Sequence, residues 1–445
     1  MSLTTTEIAH VLLALGALLI AAHVGGSLFA RFRQPRVIGE ILGGLLLGPT
    51  VLGEIAPGVQ AWLFPAEGPT AHVLGAVYQL GLLLLLFVSG VEIHGAFKRD
   101  EGRAVTSISI AGMLLPFLAG LLALHFLDLE RYWGTAQSSG AFLLVFGIAV
   151  AVTSIPVISR IMHDLGILDT SFARVVLGVA VLEDVVLYVL LAIALGIVSG
   201  TSGEAFGLPA LVGLEAGSAA DIAYHVVATL GILVLFLTLG PKAYRVVSRS
   251  KLNPISRGSP VAHQLVFLLF STVLCLFLGV EAFFGALLAG IVVGARKREP
   301  ASAIEAVKGF SFAFFIPVYF AIVGLQLDLI HRFEPLFFIG FVAFACLAKA
   351  LSVYLGARIG GERPRASLNL AIALNARGGP GIVLASVAFG AGIINEPFYA
   401  VLVLLAIVTS LAAGSWLERV PREQLRGREE DDPSSLPSET NARQA

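Results

Sequence analysis

The chain has 445 residues, of which 57% are hydrophobic and 13% charged, with a formal net charge of −1. A soluble domain of this size carries about twice that share of charge to cover its surface, so a soluble enzyme and a disordered scaffold are both excluded. No basic excess argues for nucleic acid as a partner. What remains is a polytopic membrane protein. The two cysteines, Cys275 and Cys346, lie in apolar runs and read as small buried residues, not as a disulfide framework. The 48 glycines suit close helix packing in lipid.

Apolar segments separated by polar breaks predict helices near 8–30, 37–53, 73–92, 104–127, 140–160, 173–199, 222–240, 263–278, 280–295, 307–325, 335–358, 367–390 and 397–416. The first lacks a basic leading region and a small-residue cleavage site, so it reads as a retained span. Twenty-five of the 29 Lys and Arg residues fall in alternate loops and the C-terminal tail, against Arg131 and Arg332 in the others. That asymmetry predicts a cytoplasmic C-terminus, an outside N-terminus and an odd number of spans. The expected location is a cell membrane of the bacterial inner-membrane type. The stretch 417–445 is polar and proline/serine-rich, and reads as a short disordered cytoplasmic tail.

GGLLLG at 43–48 in the second helix is echoed by GALLAG at 285–290 in the ninth. FVSGVEI around Gly90 in the third is echoed by AIVGLQLDL around Gly324 in the tenth. The first and eighth helices enter from opposite sides, so helices 1–6 and 8–13 form inverted-topology repeats with the seventh as linker, the architecture of many secondary transporters. The fifth element of each half is interrupted. Thr153, Ser154 and Pro156 break one, and Asn375, Arg377 and the glycines and proline of 378–381 break the other. Proline removes a helix hydrogen bond and glycine weakens the helix. Unwound backbone at membrane depth is tolerated only beside protein or a watery cavity, so a symmetric pair of breaks points to a transport site.

Two basic residues, Lys349 and Arg377, and an acidic pair, Glu183–Asp184, lie inside predicted helices. Each charge there costs about 2.5 kcal/mol or more on insertion scales, and intramembrane ionisable groups are functional by default. Two adjacent carboxylates point about 100° apart on a helix. One can face a cation cavity while the other pairs with Lys349, and the pair can hold a proton and exchange it for a monovalent cation. Arg377 stays charged and reads as a cap for the carbonyls of crossing helix ends. Glu40 and Glu281, at the starts of small-residue helices, read as interface-solvated, as do Glu92 and Asp328 at helix ends. His23, His125 and His225 read as lone packing or interface histidines with no carboxylate spaced to make a metal site. No hydrolase, P-loop or zinc pattern is present, so an enzyme is not expected and no cofactor is called for.

PRVIGEILGGLLLGP at 35–49, LGLLLLLFVSGVEI at 80–93, AVTSIPVISRIMHDLGIL at 151–168, the acidic pair, FFIPVYFAIVGLQLDL at 314–329, Lys349 and NARGGPGIVLAS at 375–386 together resemble the monovalent cation:proton antiporter-2 family over roughly residues 8–416. The resemblance implies an all-α fold of thirteen transmembrane helices with two crossed discontinuous helices, and a homodimer. Helices 1–3 and 8–10 would form the dimerisation part. Helices 4–6 and 11–13 would form an ion-transporting core that moves like an elevator. Asp184 matches the cation- and proton-binding aspartate, which would hold the transported ion transiently. Glu183 matches the residue before it, Lys349 its salt-bridge partner, Thr153 and Ser154 the first unwound segment, and Arg377 the second. Glu183 departs from the aspartate or glutamine usual there. The expected activity is exchange of Na+ for H+, electrogenic if Glu183, Asp184 and Lys349 all titrate. The alternative is electroneutral K+/H+ exchange. Intramembrane aspartyl proteolysis needs two aspartates on facing helices, and an ion channel needs no titratable acid–lysine pair. Some potassium-efflux members carry a cytosolic nucleotide-binding domain, and with 29 residues after Trp416 gating through one is not expected.

Overall fold

A computed structural model describes residues 4–32, 34–95, 102–127, 129–154, 158, 162, 165–167, 170–199, 207–213, 218–250, 253–295 and 301–421. Its α-helices are α1 (Thr5–Arg31), α2 (Arg36–Leu47), α3 (Pro57–Leu63), α4 (Pro69–Gly95), α5 (Gly102–Ala123), α6 (Ser139–Ala151), α7 (Ser171–Ser199), α8 (Leu208–Val212), α9 (Ala219–Thr238), α10 (Gly240–Arg249), α11 (Pro254–Gly258), α12 (Pro260–Phe277), α13 (Ala282–Gly294), α14 (Ala301–Phe310), α15 (Ile316–Leu325), α16 (Pro335–Ile359), α17 (Pro364–Ala373), α18 (Gly378–Gly390) and α19 (Glu396–Arg419). Among the described residues ten helical spans are long and apolar enough to cross a membrane, and α9 with α10 adds a pair bent by 52°. Two apolar helices of 13 residues, α6 and α13, complete the set. Each is about 20 Å long at 1.5 Å per residue, too short to cross alone. Together these occupy the thirteen positions that the sequence predicts.

Several boundaries differ, each for a local reason. The second predicted helix ends at Leu47, because Pro49 follows, and Pro49–Gly53 continue as one π turn. The tenth starts at Ala301 rather than 307 and carries a π turn over Ser311–Phe315, just before Pro317. The seventh does not stop at 240. The chain turns at Leu239 and Pro241 opens α10, whose Lys242, Arg245 and Arg249 share one face. The final helix runs on to Arg419, past the expected tail start at 417. The tail from 422 onward, and Pro156, lie outside the described residues.

The helices pack in a pattern that reflects the inverted repeat. The third span, α4, packs on the ninth, α13; the second, α2, packs on the tenth, α15. Exchanging the halves converts one pair into the other. Glycines make both crossings. A Cβ on Gly90 would collide with Leu287 O, and one on Gly290 with Phe87 O. A Cβ on Gly324 would collide with Ile41 O, and one on Gly44 with Ala321 O. Without hydrophobic drive between helices in lipid, such backbone approach supplies the association energy. α1 packs on α2, and α12 on α13. A second group gathers around α5, which packs on α16, α6 and α7; α17 packs on α16 and α19, and α18 on α19.

Two charged residues fall elsewhere than expected. Glu40 is not at a solvated interface: it is buried, with its side chain against Gly26 of α1, because the glycines of the α1–α2 crossing draw the helices together over it. Asp328 is capped rather than merely solvated, accepting from the N–H groups of Ile330 and His331 at 3.1 and 2.9 Å. Burial works against its charge, but these amides and the His331 ring outweigh it and hold the carboxyl below its usual range. Glu92 is half-exposed and paired with Lys308 at 2.9 Å. Gly44→Ala and Gly324→Ala should each cost about 1–3 kcal/mol by overpacking. Thermal unfolding in detergent should show a lowered midpoint for both, with Gly16→Ala, where a Cβ meets nothing within 4 Å, as the neutral comparison.

Candidate functional site

The first break begins where α6 ends. Val152 takes extended dihedrals (φ −63°, ψ 145°) and the chain stays non-helical through Ser154. The second break lies between Ala373 and Gly378, with Gly378 at φ +30°, a conformation that side chains disfavour. The two unwound stretches cross and bond to each other. Ser154 N donates to Ala376 O at 2.7 Å, and Thr153 Oγ1 donates to Leu374 O at 2.6 Å. Each break thus satisfies polar backbone that the other exposes.

A helix ending inside the protein leaves carbonyls without partners and a negative dipole end. At α6 two cations meet them. Arg377 donates through Nε to Ala149 O at 3.2 Å and through Nη2 to Val150 O at 3.0 Å, and Nη2 also reaches Ala345 O of α16 at 2.9 Å. Its Nη1 donates to Asn375, both backbone and side-chain oxygen, and Asn375 Nδ2 reaches Cys346 O at 3.1 Å. Lys349 Nζ takes the last carbonyl, Ala151 O, at 2.6 Å, and Gly112 O of α5 at 2.8 Å. The same ammonium sits 2.8 Å from both Glu183 carboxylate oxygens. One lysine therefore ties α16 to α5, α6 and α7. A Cβ on Gly112 would fall 3.2 Å from Glu183 Oε1, so the absent side chain leaves room for the carboxylate.

Asp184, one residue on, has no such partner. It is 1% exposed, and its Oδ1 makes no hydrogen bond; neither does the fully buried Ser154 Oγ on the first break. An unpaired buried carboxylate is costly and needs a proton or a cation. Carboxylate, hydroxyl and carbonyl oxygens suit a hard cation. Among the described residues no three His, Cys, Asp or Glu side chains converge on one point.

The structure thus brings together Glu183, Asp184, Thr153, Ser154, Lys349, Asn375 and Arg377. Sequence reasoning missed the carbonyls of Gly112 and Ala151, which carry no side-chain signal. It also missed Thr409 and Ser410, whose hydroxyls accept from Arg377 N at 3.2 Å and Gly378 N at 3.3 Å at the start of α18. A Thr-Ser pair in the apolar helix 396–419 was the available clue. His225 is not a lone packing residue: its Nε2 lies 3.3 Å from Asp221 Oδ1 one turn earlier, and its Nδ1 lies 2.9 Å from Gly279 O.

A family model described as "Sodium/hydrogen exchanger, transmembrane" matches residues 17–422. The chain is 28% identical to the Na(+)/H(+) antiporter NhaS4 of Synechocystis sp., over 88% of this chain and 92% of that protein. It is 27% identical to the K(+)/H(+) antiporter 1 of Saccharomyces cerevisiae over 86% of this chain, but spans only 43% of that longer protein. The fold superimposes on the sodium proton antiporter MjNhaP1 of Methanocaldococcus jannaschii with a TM-score of 0.63, covering 95% of this chain and all of the other, at 14% identity.

Removing one partner of a buried ion pair leaves an uncompensated charge, at about 3–5 kcal/mol. Lys349→Gln should therefore lower the unfolding midpoint strongly, and adding Glu183→Gln to it should recover most of the loss. Equal midpoints for the single and the double variant would show that the ion pair does not hold the bundle.

Proposed function

Because the chain belongs to the sodium/hydrogen exchanger family, we propose that it is a secondary antiporter that exchanges a monovalent cation, Na+ in the first instance, for H+. The observation that carries the reading is the division of labour in the acidic pair. Glu183 is held by Lys349 through both carboxylate oxygens, while Asp184 Oδ1, one residue on, makes no hydrogen bond. Asp184 binds either a proton or the cation. Thr153 and Ser154 contribute oxygens, and Lys349 and Arg377 hold the broken helices in place. A core carrying one or the other ligand is neutral at Asp184 and can cross; an empty core carries an unpaired charge through an apolar boundary and crosses slowly. Competition for one carboxylate then enforces exchange.

Movement divides the bundle between its two packed groups. α5–α7 and α16–α19 form the mobile core, and α1, α2, α4, α12, α13 and α15 form the part that remains fixed and joins two copies in a homodimer. α9 links them. The basic loops place the C-terminus in the cytoplasm of the cell and the N-terminus outside. Exchange is electrogenic if the arriving cation also frees the Lys349 proton by drawing Glu183 away. The second reading, electroneutral K+/H+ exchange, is favoured by the four acceptors around Lys349, which hold its proton in place, and by the name of the yeast relative. A membrane potential that changes the exchange rate supports the first, and indifference to voltage the second.

In proteoliposomes with an imposed pH gradient, Na+, Li+ or K+ should dissipate the gradient through the wild-type protein. Asp184→Asn keeps the shape and removes the charge, and should lower the rate by about 10²-fold or more. Wild-type exchange by that variant would place the ion elsewhere.

A further inference from the structure

Four tyrosines and a serine form a second polar cluster, one helical turn from the ion site. Tyr188 lies four residues beyond Asp184 on α7, so the two share a helix face, and each is 1% exposed. Tyr188 neighbours Tyr319 of α15, whose ring centroid is 5.0 Å from that of Tyr78 on α4. Ser386 of α18 sits among the phenols of Tyr78, Tyr319 and Tyr399. Tyr399 of α19 donates to Val323 O of α15 at 2.8 Å. Tyr319 and Tyr399 are fully buried and Ser386 is 3% exposed.

Two features set this cluster apart from ordinary buried tyrosines. Tyr319 Oη and Ser386 Oγ lie within loose reach of each other and of the neighbouring phenols, but neither makes a hydrogen bond of standard geometry. Buried hydroxyls nearly always find a well-formed partner, and two with only loose contacts in one cluster require a reason. The cluster also straddles a boundary. Tyr78 and Tyr319 belong to the α4–α15 group, and Tyr188, Ser386 and Tyr399 to the α5–α7 and α16–α19 group. All five lie in the half of the bundle that contains the first residue of α4 and the last residues of α7, α15 and α18. That is the same half as the chain's first residues, and on the proposed topology the outer half. Van der Waals packing across such a boundary is served by apolar side chains; oxygens with spare capacity serve something hydrated.

We propose that Tyr188, Tyr319, Ser386 and Tyr399 line the outer leg of the ion route, where Tyr319 Oη and Ser386 Oγ replace part of the cation's hydration as it passes between Asp184 and the outside. The inference rests on the antiporter reading for the ion and on this geometry for the route. Neutral oxygens suit the task. They lend coordination to a monovalent cation without binding it so tightly that it cannot leave. With the core in its present position the cluster is closed. Relative movement of the two groups separates Tyr319 from Ser386 and opens the passage.

The test is side-specific. Ser386→Cys is placed in a chain carrying Cys275→Ala and Cys346→Ala and exposed to a small, positively charged, membrane-impermeant thiol reagent in vesicles of either orientation. Labelling should be about tenfold faster from the N-terminal face than from the cytoplasmic face, since thiol reaction follows access. Faster labelling from the cytoplasmic face, or none from the N-terminal face in a protein that still exchanges ions, would overturn the proposal. Tyr319→Phe combined with Ser386→Ala provides a second reading that removes only two oxygens. It should raise the half-maximal cation concentration about fivefold when the cation is supplied at the N-terminal face, and leave the cytoplasmic value within about twofold. An equal change on both faces would indicate a packing role. The Asp184→Asn variant, assayed in parallel, reports separately on the ion site: full exchange there with face-specific labelling at 386 would move the site and keep the route.

Discussion

The bundle depends on one buried ammonium. Lys349 is fully buried and makes bonds to a carboxylate on α7, a carbonyl on α5 and the last carbonyl of α6. Each of those groups would be costly alone in hydrocarbon: an anion without a partner, and a helix end without a cap. One cation settles all three, and in doing so fixes where α6 stops. The position of that stop is what allows the first break to meet the second. Arg377 repeats the logic one turn away, with a planar fork reaching carbonyls on α6 and α16 at once. Two basic side chains thus stand in for the continuous hydrogen bonding that the membrane otherwise demands of every backbone segment.

That arrangement leaves a particular residue unserved. Lys349 spends its donors on Glu183 and two carbonyls, and Arg377 on carbonyls and Asn375, so Asp184 faces a site with no protein cation of its own. The same lack is visible at Ser154 Oγ and, a turn further out, at Tyr319 Oη and Ser386 Oγ. These unpartnered oxygens sit in a protein whose other buried hydroxyls are mostly bonded to the preceding helical turn, as Thr409, Ser410, Ser352 and Thr272 are.

Much of the fold could be read from the order of residues. Apolar length located the spans, and the placement of lysine and arginine in alternate loops kept their count odd. The paired motifs at 43–48 and 285–290 disclosed the inverted repeat, and the glycines within them turned out to be the crossing points of α2 with α15 and α4 with α13. The breaks at 153 and 375–381 were legible because proline and glycine disrupt helices locally. Less legible were features whose cause is not local. The burial of Glu40 depends on how closely Gly25 and Gly39 bring α1 to α2. Asp221 and His225 are spaced for pairing along a helix, yet what makes the pair meaningful is Gly279, 54 residues away.

The sequence alone determined that the chain spans a membrane, in two related halves, with four charged side chains too expensive to be there by chance. These follow from composition and spacing, because the cost of a charge or a broken helix in lipid is paid wherever the residue ends up. Composition and spacing left open which of two adjacent acids is neutralised; the family resemblance pointed to Glu183, and the tertiary structure supplies the physical cause. Glu183 and Asp184 differ by one position and about 100° around α7. Lys349 lies 166 residues from Glu183 in the chain and meets it because α16 packs against α5. A glycine at 112 leaves the space for that meeting. The distinction between the acid that is held and the acid that is free is therefore a property of three helices packed together, and no pattern along one of them contains it.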